Sequence, residues 1–437
     1  MPFLKSVSLV PLLIKIFCLG LLLHFLLYTF VTFARGVDAG PLWAWKELVI
    51  FWLTGIISVV MFQKKLFKDI IRQRRFLIVS GAFLLGIFLT LTIHVIMIQT
   101  PITRWMMAMR YDYLGFFLLL LWRLISYILP TEKSHQLISR YGRVMKRVLC
   151  LAIVRWCIVA IKPGTIKLFG YNNYVFEGTV GMQPPAVYYT HINYGLPRSQ
   201  FLFERPTTYG FRLTAFFPLF FFWFLKGRRR QDTRARRTIY GTNILLTFSR
   251  AARWSRIVIV VVLIALTTQI SWRRLFWRYG IPLVIIFGSI LVLWREQIAL
   301  RGYSNYGHMT MIKQWWTMFL SSPWRWVGSA TAGPGSHRLD GGAFNPENQF
   351  LQILIEFGVI GSLPRLFLRW RSVWIGFSRK IWWLLAKEIL LAFSLGILTL
   401  TISGMVLHSF GDRMVVYPFM LLFWLAIGNI YRPVSKA

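Results

Sequence analysis

Acidic residues are scarce in this chain: 14 Asp and Glu stand against 51 Lys and Arg over 437 residues, a formal charge of +37. Cysteine is scarcer, with three (Cys18, Cys150 and Cys157), all inside apolar runs. No CxxC pair or Cys/His ligand spacing occurs, which excludes a disulfide-stapled secreted domain and a structural zinc site. No GxxxxGK[ST] loop is present to cradle a nucleotide. No HExxH or paired His/Asp spacing is present either, so no metal and no other cofactor is expected. Charged residues are only 15% and apolar residues 56%. A soluble domain carries about a quarter charged residues, so the shortfall excludes disorder and points to lipid.

The positive charge invites a nucleic-acid reading, but its distribution argues against one. The basic residues fall in short bursts between apolar stretches, as in the cytoplasmic loops of an inner-membrane protein. No nucleic acid is expected as a partner. Apolar runs that read as spans occur near 7–33, 48–62, 76–98, 113–129, 148–161, 211–225, 239–249, 257–270, 281–294, 350–366, 384–407 and 415–430, those at 148–161 and 239–249 being short for the hydrocarbon core. The expected fold is therefore an all-α polytopic membrane protein, one integral domain over 1–437 with about twelve transmembrane helices. The first run lacks a small-residue cleavage site and is expected to stay in the mature protein. Loops 64–75, 130–147, 226–237, 271–278 and 365–380 are strongly basic and are expected in the cytoplasm. Loops of mixed charge alternate with them and are expected outside.

Two of the outer loops are long, 162–210 and 295–349, and both are rich in Gly, Pro, Asn and Tyr. Long ordered loops commonly carry function. Within the second, 308–320 reads as an interfacial helix with Met309, Ile312, Trp316 and Leu320 near one face, or equally as an ordinary external helix covering the bundle. The outer side gathers Arg110, Asp112, Arg198, Glu204, Arg250, His308, His337, Arg338, Glu347, Asn348, His408, Asp412 and Arg413. Several guanidiniums can grip a pyrophosphate bidentately, and a carboxylate or imidazole beside them can take a proton from a hydroxyl. Each candidate also has a plainer reading. Arg250 could snorkel to headgroups, Arg110 could pair with Asp112, and Glu347 with Asn348 could cap the helix that follows.

The motifs fall in an order that resembles the O-antigen polymerase/ligase superfamily of bacterial envelope polysaccharide enzymes. GHMTMIKQWWTMFLSSPW (307–324), GSATAGPGSHR (328–338) and NPENQFLQILIEFGVIG (345–361) follow its pattern of a helix, an SP turn, a Gly-rich loop and an EN-x9-GxxG helix. LLTFSRAA (245–252), GLPRSQFLFERPTTYG (195–210) and HSFGDRMVVYP (408–418) are similar to further segments of that family.

The resemblance implies a GT-C-like membrane glycosyltransferase working at the outer, periplasmic face of the bacterial inner membrane. Such an enzyme moves a glycan from undecaprenyl pyrophosphate to an acceptor hydroxyl with inversion and without metal. Its partners would be the lipid-linked glycan donor, a glycan or lipid A-core acceptor, membrane lipid and a chain-length regulator protein. Carried over by position, Arg250 would bind the pyrophosphate, aided by Arg198, Arg338, Arg110, Asn348 and Arg413. The general base is open between Glu347, His337 and His308. Where ligases of the family carry a second arginine and a histidine, this chain has His308 and Glu347, and both departures favour a chain polymerase over an O-antigen ligase. A lipid-linked-sugar flippase or transporter is the reading from another class. Without an internal repeat and with its polar groups at the outer side, the sequence argues against it.

Overall fold

The computed structural model describes residues 16, 19, 20, 45–63, 74–118, 121, 124, 131–162, 165, 198–225, 230–268, 302–324, 332, 348–377, 387–405, 409 and 413–430, with 98, 100, 204, 205, 248 and 322 excepted. The expected spans at 7–33 and 281–294 lie almost wholly outside these residues. Among the described residues there is no strand. The helices are α1 (Trp45–Gln63), α2 (Arg74–Leu91), α3 (Ile102–Asp112), α4 (Thr131–Ile161), α5 (Pro206–Leu225), α6 (Arg230–Leu246), α7 (Arg250–Thr268), α8 (Gly302–Ser321), α9 (Gln349–Phe377), α10 (Lys387–Gly404) and α11 (Arg413–Ile430). A π-helical turn, Thr92–Met97, prolongs α2. The all-α expectation is therefore met.

By length and composition, Leu77–Ile96 and Gln349–Trp374 could cross a membrane, and Glu47–Gln63 and Glu388–Gly404 are shorter apolar helices. Twelve crossings are not established by these. The second candidate is also not straight. Gly358, at φ 60° and ψ −176°, breaks α9 into legs 349–357 and 359–377. That backbone region is open essentially to glycine alone.

Three stretches expected as basic loops are helical instead. The stretch 131–147 is continuous with 148–161 in α4, the stretch from Arg230 is continuous with 239–246 in α6, and 365–377 completes α9. In α4 the reason is periodicity. Ile138, Tyr141, Met145, Val148, Leu149 and Ala152 are buried at helical spacing, while Arg140, Arg143, Lys146 and Arg147 fall on the exposed face. The expected outer loop 99–112 is likewise mostly the helix α3.

The core is aromatic and threaded by paired polar groups. Arg212 on α5 is fully buried, its Nη2 donating to the Tyr141 hydroxyl at 2.9 Å, with its guanidinium 5.2 Å from the Phe203 ring centre and 5.8 Å from that of Phe216. Tyr209 donates to Asn243 Oδ1 at 2.7 Å, and Asn243 Nδ2 donates to the Leu149 carbonyl at 3.1 Å. These contacts join α4, α5 and α6 through buried polar groups that pair with one another and with aromatic faces. The most extensive helix pair is α5 with α10. It closes on Gly396, where an added Cβ would strike the Ala215 carbonyl and the Phe419 ring of α11.

Candidate functional site

Four segments singled out in the sequence converge at one end of the bundle. The first is 198–203. Arg198 Nε donates to the Thr247 carbonyl at 2.9 Å, and the Ser199 N–H donates to the Leu246 carbonyl at 2.7 Å. Both acceptors lie at the C-terminal end of α6, where carbonyls lack helical partners. The second segment is the turn into α7. Ser249 Oγ accepts the Ala252 N–H at 3.4 Å, and the Ser249 carbonyl accepts the Arg253 N–H at 3.0 Å, which starts the helix at Arg250. Gly210 lets α5 come this close: a Cβ there would stand 2.9 Å from Ala252 Cβ and 3.2 Å from Ser249 Cβ.

The third segment is the start of α9. Asn348 Oδ1 accepts the N–H groups of Phe350 and Leu351, each at 3.0 Å, so Asn348 is the helix N-cap. The fourth is the end of α10 with Ser409. A Cβ on Gly404 would stand 3.3 Å from Gln349 Oε1 and 3.4 Å from Ser409 Oγ. A hydrogen bond between Ser255 Oγ and Ser403 Oγ, 2.7 Å long and buried, ties the first turns of α7 to this end of α10. Contacts thus run unbroken from Arg198 through the α7 start and Ser403 to Gln349.

The bend at Gly358 adds to this end what a straight helix would carry away. Ser362 Oγ donates to the Ile353 carbonyl across the bend at 3.1 Å. The Arg365 guanidinium lies 5.3 Å from the Phe357 ring centre and 5.5 Å from that of Tyr113. Arg369 lies 5.3 Å from the Phe350 ring centre. The His94 ring stands 5.1 Å from Phe357. Gly361 makes room, since a Cβ there would lie 3.0 Å from Phe357 Cβ. The two glycines of the GxxG element therefore have separate tasks, backbone reversal at Gly358 and close approach at Gly361.

The short leg 349–357 also receives α8 and the Gly-rich segment. Trp315, Ala332, Leu351 and Ile355 form a small buried cluster with Phe319 against it. Glu356 Oε1 accepts the Ala332 N–H at 3.1 Å, and Gln352 Nε2 donates to Glu356 Oε2 at 3.2 Å. Trp316 and Leu320, on the face marked as interfacial, are exposed.

The candidates named from the sequence divide as follows. Glu347, His337, Arg338, Glu204, His408 and Asp412 lie outside the described residues. Arg250 and Arg413 open α7 and α11, and His308 lies within α8, but their side chains, like that of Asp112, are also outside what is described. Arg198 ties its segment to the end of α6. Arg110 Nε donates to Glu47 Oε1 at 2.7 Å, an ion pair joining α3 to α1, one helical turn before the Tyr113 ring that faces Arg365. Among the described residues, no three His, Cys, Asp or Glu side chains form a metal-ligating group. Sequence reasoning passed over Glu356, Gln352, Arg365 and Arg369. The first two were legible as polar residues inside an apolar helix. The arginines looked like part of a basic loop until the bend brought them back.

Residues 238–364, which run from α6 to the bend region of α9, match a family model described as O-antigen ligase. No curated protein matches the chain. The matched segment is less than a third of the chain, and it supports the likeness of this region to the O-antigen ligase/polymerase superfamily. The match supports an O-antigen ligase/polymerase type of function in general, as carried out by membrane glycosyltransferase-like enzymes.

Proposed function

We propose that this protein polymerises polysaccharide repeat units carried on undecaprenyl pyrophosphate, at the outer face of the inner membrane. The observation that supports it most is the convergence of the segments bearing Arg250 and Asn348, through Ser255, Ser403 and Gln349, at one end of the bundle. A base, Glu347 in first place and His337 or His308 otherwise, takes the proton of the acceptor hydroxyl. That oxygen attacks the anomeric carbon, the bond from this carbon to the pyrophosphate oxygen breaks with inversion, and the pyrophosphate leaves with the electron pair. Arg250, with Arg338 and Arg413, neutralises the leaving group. Arg365 and Arg369 add positive potential, held in place by the faces of Phe357, Tyr113 and Phe350. No metal enters this scheme, because the donor is already activated.

Arg250→Ala and Glu347→Ala are each expected to abolish glycan extension in membranes at unchanged protein abundance. Normal polymer length in both would refute the assigned roles. The description of the matched family favours a second reading, O-antigen ligase, with lipid A-core as acceptor. The glycolipids of cells lacking the protein separate the two. Single repeats accumulating on the carrier lipid mean polymerase, and full-length polymer stranded on the carrier means ligase.

A further inference from the structure

Glu356 is a carboxyl-bearing side chain in the middle of an apolar run, 1% exposed, and the transfer chemistry above does not use it. An apolar residue of similar size would fill this place without the cost of taking a carboxyl out of water. What the carboxyl does here is grip main chain. Oε1 accepts the Ala332 N–H at 3.1 Å, Oε2 accepts from Gln352 Nε2 at 3.2 Å, and Gln352 Nε2 also reaches the Ala332 carbonyl at 3.5 Å. One peptide residue is thus held by both its N–H and its C=O. Its neighbours are apolar and closed: Ala332 is fully buried, with Trp315, Leu351 and Ile355 in the same cluster. A second strut stands beside it, from the Val359 N–H to the Pro323 carbonyl at 3.3 Å.

The sequence positions give this clamp its meaning. Ala332 lies shortly before His337 and Arg338, and Asn348 follows Glu347 at once. The described residues on either side of 333–347 are therefore both held to the same leg, 349–357: Asn348 by covalent continuity and Ala332 by Glu356.

We propose that Glu356 is a positioning residue for glycan transfer. Its carboxyl fixes Ala332 against the leg that Asn348 opens, and so sets the relative placement of the two chain positions between which His337, Arg338 and Glu347 lie in sequence. This rests on the transfer function proposed above.

The test uses two readouts on purified full-length protein. Hydrogen–deuterium exchange of the peptide spanning 326–337 reports the clamp. Lengthening of lipid-pyrophosphate-linked repeat units reports transfer. Glu356→Ala is expected to speed exchange at least about tenfold and to lower turnover about 100-fold, the scale of a misplacement of about 1 Å, with the half-saturating donor concentration unchanged. Glu356→Gln keeps an acceptor oxygen for the Ala332 N–H but turns an amide NH2 toward Gln352 Nε2, and is expected to fall between wild type and Glu356→Ala in both readouts. Unchanged exchange in Glu356→Ala would overturn the clamp whatever the activity. A Glu356→Gln variant as inactive as Glu356→Ala, with exchange still slow, would overturn the positioning role and make the charge itself part of the chemistry. Should Glu356→Ala not fold, Gln352→Met removes half of the clamp at nearly equal length. It is expected to give a smaller acceleration of exchange and a smaller loss of turnover, and no change in either would overturn the proposal. A wild-type protein that shows the slow exchange yet never lengthens the glycan would sink the transfer reading while leaving the clamp in place.

Discussion

The Arg369 guanidinium rests 5.3 Å from the centre of the Phe350 ring, although a straight helix would set these two residues about 28 Å apart. The break at Gly358, where the φ/ψ of α9 turn non-helical, brings them together, and Pro364 lies within the second leg.

Gly358→Ala is accordingly expected to cost about 1–3 kcal/mol, because a Cβ is strained at φ 60° whatever the space around it. Gly55→Ala, in α1 with nothing within 4 Å of the added Cβ, is expected to be neutral or stabilising by up to about 1 kcal/mol. Thermal unfolding of both variants in detergent checks the contrast, and equal stability of the two would contradict the bend.

Arg110 and Glu47 are expected to act on stability rather than on transfer. Their pair is about one-fifth exposed on each side, so a double-mutant cycle of Arg110→Ala and Glu47→Ala should give a coupling of about 1 kcal/mol or less. Transfer per folded molecule should be unchanged. A large fall in turnover at full abundance would return Arg110 to the pyrophosphate site.

Asn348→Ala removes the N-cap of α9 and should cost about 0.5–2 kcal/mol, whereas Asn348→Ser should retain most of the stability. If capping is the whole role of Asn348, glycan transfer follows the same order. Loss of transfer in Asn348→Ser, with the helix intact, would show contact with substrate.

Ser255 Oγ donates to the Ala251 carbonyl at 2.7 Å and so accepts from Ser403 across their buried hydrogen bond. Ser255→Ala strands the Ser403 donor, and Ser403→Ala removes the bond while Ser255 keeps its helix acceptor. Each single variant should cost about 1–2 kcal/mol, and Ser255→Ala with Ser403→Ala together should cost less than the sum. Unfolding of the three variants measures this, and strict additivity would mean that the bond is absent.

Helix content and the order of the motif segments were legible because they rest on local pattern: apolar periodicity and the Asn348 cap. The bend was not. Gly358 and Gly361 read alike in sequence, and only the fold assigns one to backbone reversal and the other to packing against Phe357. The basic stretches were misjudged for a related reason. Counting the charges at Arg140, Arg143, Lys146 and Arg147 suggested a loop, while the phase of Ile138, Tyr141 and Met145 between them encodes a helix. Partners far apart in sequence, such as Glu47 with Arg110 or Ala332 with Glu356, have no local signature at all.

At Gly396 there is no side chain to trim and no gap to fill: the Ala215 main chain and the Phe419 ring already occupy the space. Three helices meeting in this way make a fixed spine, because any sliding of α5 past α10 would drive backbone into backbone. Any change of shape that function requires would then fall on the periphery, on α8 and the short leg it leans against, and should be sought there and not among α5, α10 and α11.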